Sequence, residues 1–143
     1  MALDPAKREA LVQRVDAIED CYEFLLSYAA QGRVADGSSG PGSQIRSYLE
    51  AAEEALRDIA QMMRECFITG DPKAEDAYGP FVALIEDDAR KSRATLKLVL
   101  AQKGISSQLA DNFNNTIHVR ALLTDVFLID ETLKITARLE AGV

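Results

Sequence analysis

The chain has few of the residues that organise metal, haem or disulfide chemistry. Its 143 residues include two cysteines, one histidine and no tryptophan. Cys21 and Cys66 do not form a Cys-x-x-Cys pair, so we expect no zinc site and two reduced thiols. A di-metal site in a helical bundle needs Glu-x-x-His pairs, whereas the residue three before His118 is Asn115. Without a Cys-x-x-Cys-His motif we also expect no haem. The sequence therefore predicts no bound metal and no cofactor.

Long apolar runs and an excess of positive charge are also lacking. No run approaches the roughly 20 apolar residues of a membrane-spanning helix. The N-terminus is charged and lacks the apolar core of a secretory signal, so we expect a cytoplasmic protein. The formal net charge is −7, and phosphates and anionic lipids repel an acidic chain. The composition thus disfavours nucleic acids and membranes as partners.

Apolar residues make up 48% of the chain, and they recur at alternating spacings of three and four. In the first predicted helix this stripe is Leu11, Val15, Ile18, Tyr22, Leu25 and Ala29. Such spacing is typical of helices that pack nearly parallel or antiparallel to their neighbours. We predict one all-α domain over residues 1–143, a mainly antiparallel four-helix bundle with helices at about 5–31, 44–68, 80–103 and 107–141.

Polar, glycine and proline residues predict the helix boundaries. Asp4 is a suitable N-cap before Pro5. Residues 32–43 form a Gly/Ser/Pro segment that predicts a flexible loop, with Ser43 capping the second helix. Residues 71–80 predict a connector, in which Asp71-Pro72 could start one helical turn and Gly79-Pro80 could restart the chain as a longer helix.

The last predicted helix begins near Ser106 or Ser107 and would be longer than the other three. Asn114, Asn115 and Thr116 are poor helix formers and good caps. We therefore predict a break or kink near Asn115.

This last helix carries a second apolar stripe, formed by Leu128, Thr132, Ile135 and Leu139. A surface helix with two apolar faces needs a second packing partner. We interpret the stripe as a binding surface for another protein or for a second copy of the chain. The alternative is that the 71–80 connector or the N-terminal segment covers it. The resulting hypothesis is a non-enzymatic interaction module, an adaptor, chaperone-like or regulatory bundle that forms homodimers.

Two other classes of function stay open. A small-molecule or metal-binding bundle, possibly an enzyme, would need a pocket lined by residues such as His118, Asp125, Asp130, Tyr22 and Tyr48. Phosphotransfer through His118 would fit a helical bundle, although Val119-Arg120 follows the histidine where such domains carry Lys-Gly.

Two further expectations concern burial. Cys66 lies on a core stripe, which favours a buried small hydrophobe over a reactive thiol. Asp130 lies close to the core stripe, and we expect it to pair with an Arg or Lys or to reach solvent.

Overall fold

The computed structural model describes residues 4–37 and 40–142, and these residues form five α-helices and no strand. The helices are α1 (Pro5–Ala29), α2 (Ile45–Phe67), α3 (Pro72–Leu100), α4 (Ser107–Asn114) and α5 (Ile117–Glu140), with a short 3₁₀ helix at Gly40–Ser43 before α2. The prediction of an all-α fold is confirmed.

The helices pack as a bundle around one core. Helices α1 and α3 each pack against α2, α4 and α5. The predicted stripe of the first helix is buried except at Tyr22 and Ala29, which are partly exposed. Buried residues at spacings of three and four also run along one face of α2, α3 and α5. Side chains with no exposed surface include Leu11, Ile45, Leu49, Ile59, Ile85 and Ile129. Burial of these stripes is the main stabilising contribution to the bundle.

The predicted interruption near Asn115 is confirmed. Helix α4 ends at Asn114 with Asn115 as its C-cap, and Thr116 is the N-cap of α5. The Thr116 hydroxyl oxygen accepts a hydrogen bond from the Val119 amide at 3.4 Å. The Asn115 side-chain amide donates to the Asp111 carbonyl oxygen at 2.9 Å. The Thr116 hydroxyl satisfies an amide that a continuous helix would pair with the Asn115 carbonyl oxygen, which favours the start of a new helix here.

The predicted N-cap Asp4 and the predicted helix start near Ser106 are also confirmed. The Asp4 carboxylate accepts a hydrogen bond from the Ala6 amide at 2.8 Å and begins α1. The Ser106 hydroxyl accepts one from the Leu109 amide at 3.0 Å and begins α4.

The predicted connector at residues 71–80 is wrong. Helix α3 begins at Pro72 under an Asp71 cap and continues through Pro80 without ending. A residue before proline avoids helical angles because its backbone N–H and its Cβ atom clash with the proline ring, and glycine lacks the second of these clashes. Gly79 has no side chain, and a Cβ atom there would lie 2.8 Å from Glu75 Oε1. The Gly-Pro pair is therefore compatible with a helix.

The loop before α2 also differs from its prediction. Ser43 does not cap α2: its hydroxyl donates to the Gly40 carbonyl oxygen at 2.7 Å, and Gln44 is the N-cap residue. The segment predicted to be a flexible linker is anchored at two described residues. The Arg33 amide donates to Ser107 Oγ at 2.8 Å, and the Asp36 carboxylate accepts from the Ile105 amide at 2.7 Å.

Within residues 4–37 and 40–142, no helix is both long enough and apolar enough to cross a membrane.

Candidate interaction surface

The second apolar stripe of α5 lies at the surface. Leu128, Ile135 and Leu139 are 54%, 48% and 72% exposed. Thr132 lies between them, and its hydroxyl donates to the Leu128 carbonyl oxygen at 2.8 Å. Large apolar side chains exposed side by side on one helix face are typical of an interaction surface. We call these four residues the α5 outer face.

Helix α3 adds a leucine that sequence reasoning missed. Two polar contacts between α3 and α5 show which residues face each other: Ser92 Oγ donates to the His118 carbonyl oxygen at 3.2 Å, and the carboxyl groups of Asp88 and Asp125 are close enough to share a proton. Leu84 is 48% exposed and lies one helical turn before Asp88. Its only sequence signal is an apolar residue off the core stripe, which is common on protein surfaces. We call Leu84 together with the α5 outer face the seam surface.

A pair of carboxyl groups lies between α3 and α5. Asp125 is 6% exposed. Burial raises the pKa of Asp125 to about 8, and both hydrogen bonding to Asp88 and the negative charge of Asp88 act in the same direction. Beyond this contact with Asp88, Asp125 Oδ2 is buried without a hydrogen-bond donor among the described residues. The Asp125 carboxyl is therefore mostly protonated at neutral pH, which removes the cost of burying a charge there.

The opposite side of α5 carries a second acidic group. Asp130 forms an ion pair with Lys134 at 3.3 Å, as predicted for an aspartate close to the core. Glu19 of α1 lies near it. Burial first, and then the charges of Asp130 and Asp16, raise the pKa of Glu19 to about 7, while Lys134 opposes the shift. The ion pair with Lys134 thus gives Asp130 a structural role at the edge of the core.

The other residues proposed for a ligand pocket do not meet in one place. Tyr48 stacks on Phe24 with ring centroids 4.2 Å apart, and Tyr22 meets Phe127 edge-on at 6.3 Å. His118 is exposed in the first turn of α5. The core cavity beside Tyr22 has a volume of about 20 Å³, far below the several hundred Å³ of an organic ligand site.

Both thiols are buried. Cys21 and Cys66 are 3% and 6% exposed and unbridged. Burial raises the pKa of the Cys21 thiol to about 12, and burial followed by the charge of Glu65 raises that of Cys66. Cys66 therefore fits the interpretation as a buried hydrophobe. Among the described residues, no three His, Cys, Asp or Glu side chains are grouped closely enough to hold a metal ion.

Comparisons of the chain with protein-family models, with curated proteins and with solved structures found no match.

Proposed function

We propose that this chain is a non-enzymatic protein–protein interaction module that self-associates through the seam surface. The observation that carries the proposal is the exposure of Leu84, Leu128, Ile135 and Leu139 on neighbouring helices. A complex is stabilised by about 25 cal/mol for each Å² of exposed apolar surface that it removes from water.

The two contacts between α3 and α5 support a mainly antiparallel bundle. Asp88 meets Asp125 and Ser92 meets His118, so residue numbers rise along α3 while they fall along α5. In this arrangement Leu84 would lie beside Leu128, because each is about one turn beyond the carboxyl pair. The seam surface is then continuous across two helices, with α4 and α5 as two halves of the fourth helix.

The spacing of the α5 outer face favours a second copy of the chain as its partner. Successive residues of this face, Leu128, Thr132, Ile135 and Leu139, are four, three and four positions apart. This pattern reads the same in both directions. A twofold axis between Thr132 and Ile135 would therefore place Leu128 against Leu139 of the partner subunit, which is the self-complementarity that a symmetric dimer requires.

Charges beside the stripe support the same arrangement. Glu131 and Arg138 are both more than half exposed and lie 3.9 Å apart within one chain, at the limit of an ion pair. The same twofold axis would bring the Glu131 side chain near Arg138 of the partner subunit. Such rim charges contribute more to orientation than to affinity.

The test is the mass of the protein in solution. Leu128→Glu with Ile135→Glu should convert a dimer to a folded monomer in light scattering and sedimentation velocity, because two charges would be buried in the interface. The matched control is Leu26→Glu with Val34→Glu, which adds the same charge at residues 50% and 93% exposed outside the seam surface.

The control variant should keep the dimeric mass, and both variants should retain the helical circular dichroism of the wild type. A wild type that is monomeric at every accessible concentration would refute self-association. Equal dissociation of both variants would assign the dimer to another surface.

A further inference from the structure

A cleft between α2 and α3 concentrates positive charge on this acidic chain. Its volume is about 300 Å³, and four of its lining residues are arginines. The floor is apolar and includes Leu56, Ala60, Val82 and Ala89. We call it the arginine cleft after these four residues, Arg57, Arg64, Arg90 and Arg93. They are a quarter of the 16 lysines and arginines of the chain, so their convergence on one cleft requires an explanation.

A buried carboxylate holds two of these arginines in place. Glu53 of α2 is 6% exposed. Arg57 Nη2 lies 2.9 Å from Glu53 Oε2, and Arg93 Nη2 of α3 lies 3.1 Å from Oε1. Burial alone would raise the pKa of Glu53, but the hydrogen bonds from Arg57 and Arg93 hold it below its usual value. Two guanidinium groups thus share one carboxylate, which leaves one positive charge unneutralised.

The arginines keep donors for another acceptor. A guanidinium group has five N–H donors. Arg57 and Arg93 each reach Glu53 through Nε and Nη2. Their Nη1 groups have no acceptor among the described residues. At the rim, Arg90 and Arg64 are 71% and 41% exposed, and each contacts one surface carboxylate, a type of pair that contributes little in water.

We propose that the arginine cleft binds a small organic anion, a phosphate or carboxylate attached to an apolar group. The fixed guanidinium pair suits the planar, bidentate recognition of such anions. The apolar floor would receive the rest of the ligand, and the volume lies within the range of small-molecule sites.

The site is separate from the seam surface. Arg93 joins α3 to α2 through Glu53, whereas Asp88 joins α3 to α5. Ligand binding therefore does not depend on self-association, and the two proposals fail independently.

The first experiment titrates the full chain with phenyl phosphate and with benzoate, and follows backbone amide shifts by NMR. Inorganic phosphate and benzyl alcohol test the anionic and apolar parts separately. We expect saturable shifts centred on residues 56–64 and 82–93, with both aromatic anions binding more tightly than inorganic phosphate or benzyl alcohol. Absence of saturable shifts with both aromatic anions would refute the proposal. Tightest binding by benzyl alcohol would also refute it, because the arginines would then have no role.

The second experiment uses variants. Arg57→Gln should weaken phenyl phosphate binding about tenfold, since a charge-assisted hydrogen bond is lost. The matched control is Arg14→Gln: Arg14 makes the same two-nitrogen contact with Asp58, at 3.3 and 3.2 Å, outside the cleft. It should leave the affinity unchanged. Equal losses in the two variants would show a nonspecific charge effect and overturn the site.

Two further variants keep the proposal testable if Arg57→Gln perturbs Glu53. Arg90→Gln removes a rim arginine that does not contact Glu53 and should also weaken binding. Glu86 lines the cleft as a carboxylate, so Glu86→Gln should strengthen binding by removing repulsion. Weaker binding to Glu86→Gln would contradict an anionic ligand.

Discussion

The two aspartates of α5 lie in different surroundings. Asp130 forms an ion pair with Lys134 and is partly exposed to solvent. Asp125, five residues earlier, is buried against Asp88, and its pKa is raised to about 8. This places a titration near neutral pH at the joint between α3 and α5.

The raised pKa of Asp125 predicts how stability depends on pH. The folded chain keeps the Asp125 proton up to about pH 8, whereas an unfolded aspartate releases it at about pH 4. Between these values the folded state binds more protons, so the free energy of unfolding falls as pH rises. Asp125→Asn should reduce this fall by at most about 1.4 kcal/mol per pH unit. Urea unfolding between about pH 5 and about pH 8 measures it.

Asp87→Asn is the control for this prediction. The exposed Asp87 is hydrogen-bonded to Arg90 and Lys91, which lower its pKa, so its removal should not reduce the fall. Some fall should remain in Asp125→Asn, because the pKa of Glu19 is also raised, to about 7. An unchanged slope in Asp125→Asn would show that Asp125 is ionised in the folded chain.

At the scale of residues, the sequence can indicate contacts within one helix but not contacts between helices. Lys134 lies one helical turn after Asp130, so that ion pair is compatible with helical spacing alone. Asp88 lies in another helix, and its contact with Asp125 depends on how two helices pack. The convergence of Arg57 and Arg93 on Glu53 has the same origin, since only one of these arginines is local to the glutamate.

At the scale of elements, α3 contains a proline that the helix tolerates at a cost. Pro80 is the ninth residue of α3, where an ordinary residue would donate its amide to the Asp76 carbonyl oxygen. Pro72 is the first residue of the same helix, where the amide would have no helical acceptor.

This contrast predicts different effects for two similar substitutions. Pro80→Ala restores a helical hydrogen bond and removes a ring clash, so it should raise the free energy of unfolding by about 1 to 3 kcal/mol relative to Pro72→Ala. Both substitutions loosen the unfolded chain equally, and that contribution cancels in the comparison. Urea unfolding of the two variants and the wild type measures the difference. Equal stabilities would mean that α3 already compensates the lost bond at Pro80.

The elements that periodicity and caps determine locally were predictable. Apolar periodicity located α1, α2 and α3 from Pro80 onward, and Asp4, Ser106 and the Asn115 break set helix ends close to those observed. The first eight residues of α3, 72–79, were missed because a proline inside a pattern normally ends a helix, and the pattern does not show that Gly79 relieves a clash with the Pro80 ring. The anchoring of the 32–43 loop was missed because its partners come from the start of α4.

At the scale of the whole molecule, α3 separates the two proposed binding surfaces. One side of α3 faces α2 and the arginine cleft, and the other faces α5 and the seam surface. The α5 stripe could be predicted as an apolar face without a partner. The arginine cleft could not, because the chain is acidic overall and the four arginines converge only after folding.

Salt distinguishes the two surfaces, because it acts on them with opposite sign. Two copies of a chain with net charge −7 repel each other, and this repulsion extends about 30 Å at 0.01 M salt but about 8 Å at 0.15 M. Added salt should therefore tighten self-association through the apolar seam surface. The same salt should weaken phenyl phosphate binding, which depends on attraction to arginines. Sedimentation and NMR titration across one salt series measure both dissociation constants. Self-association that weakens steadily with salt would indicate that ion pairs, and not the exposed leucines of α3 and α5, hold the copies together.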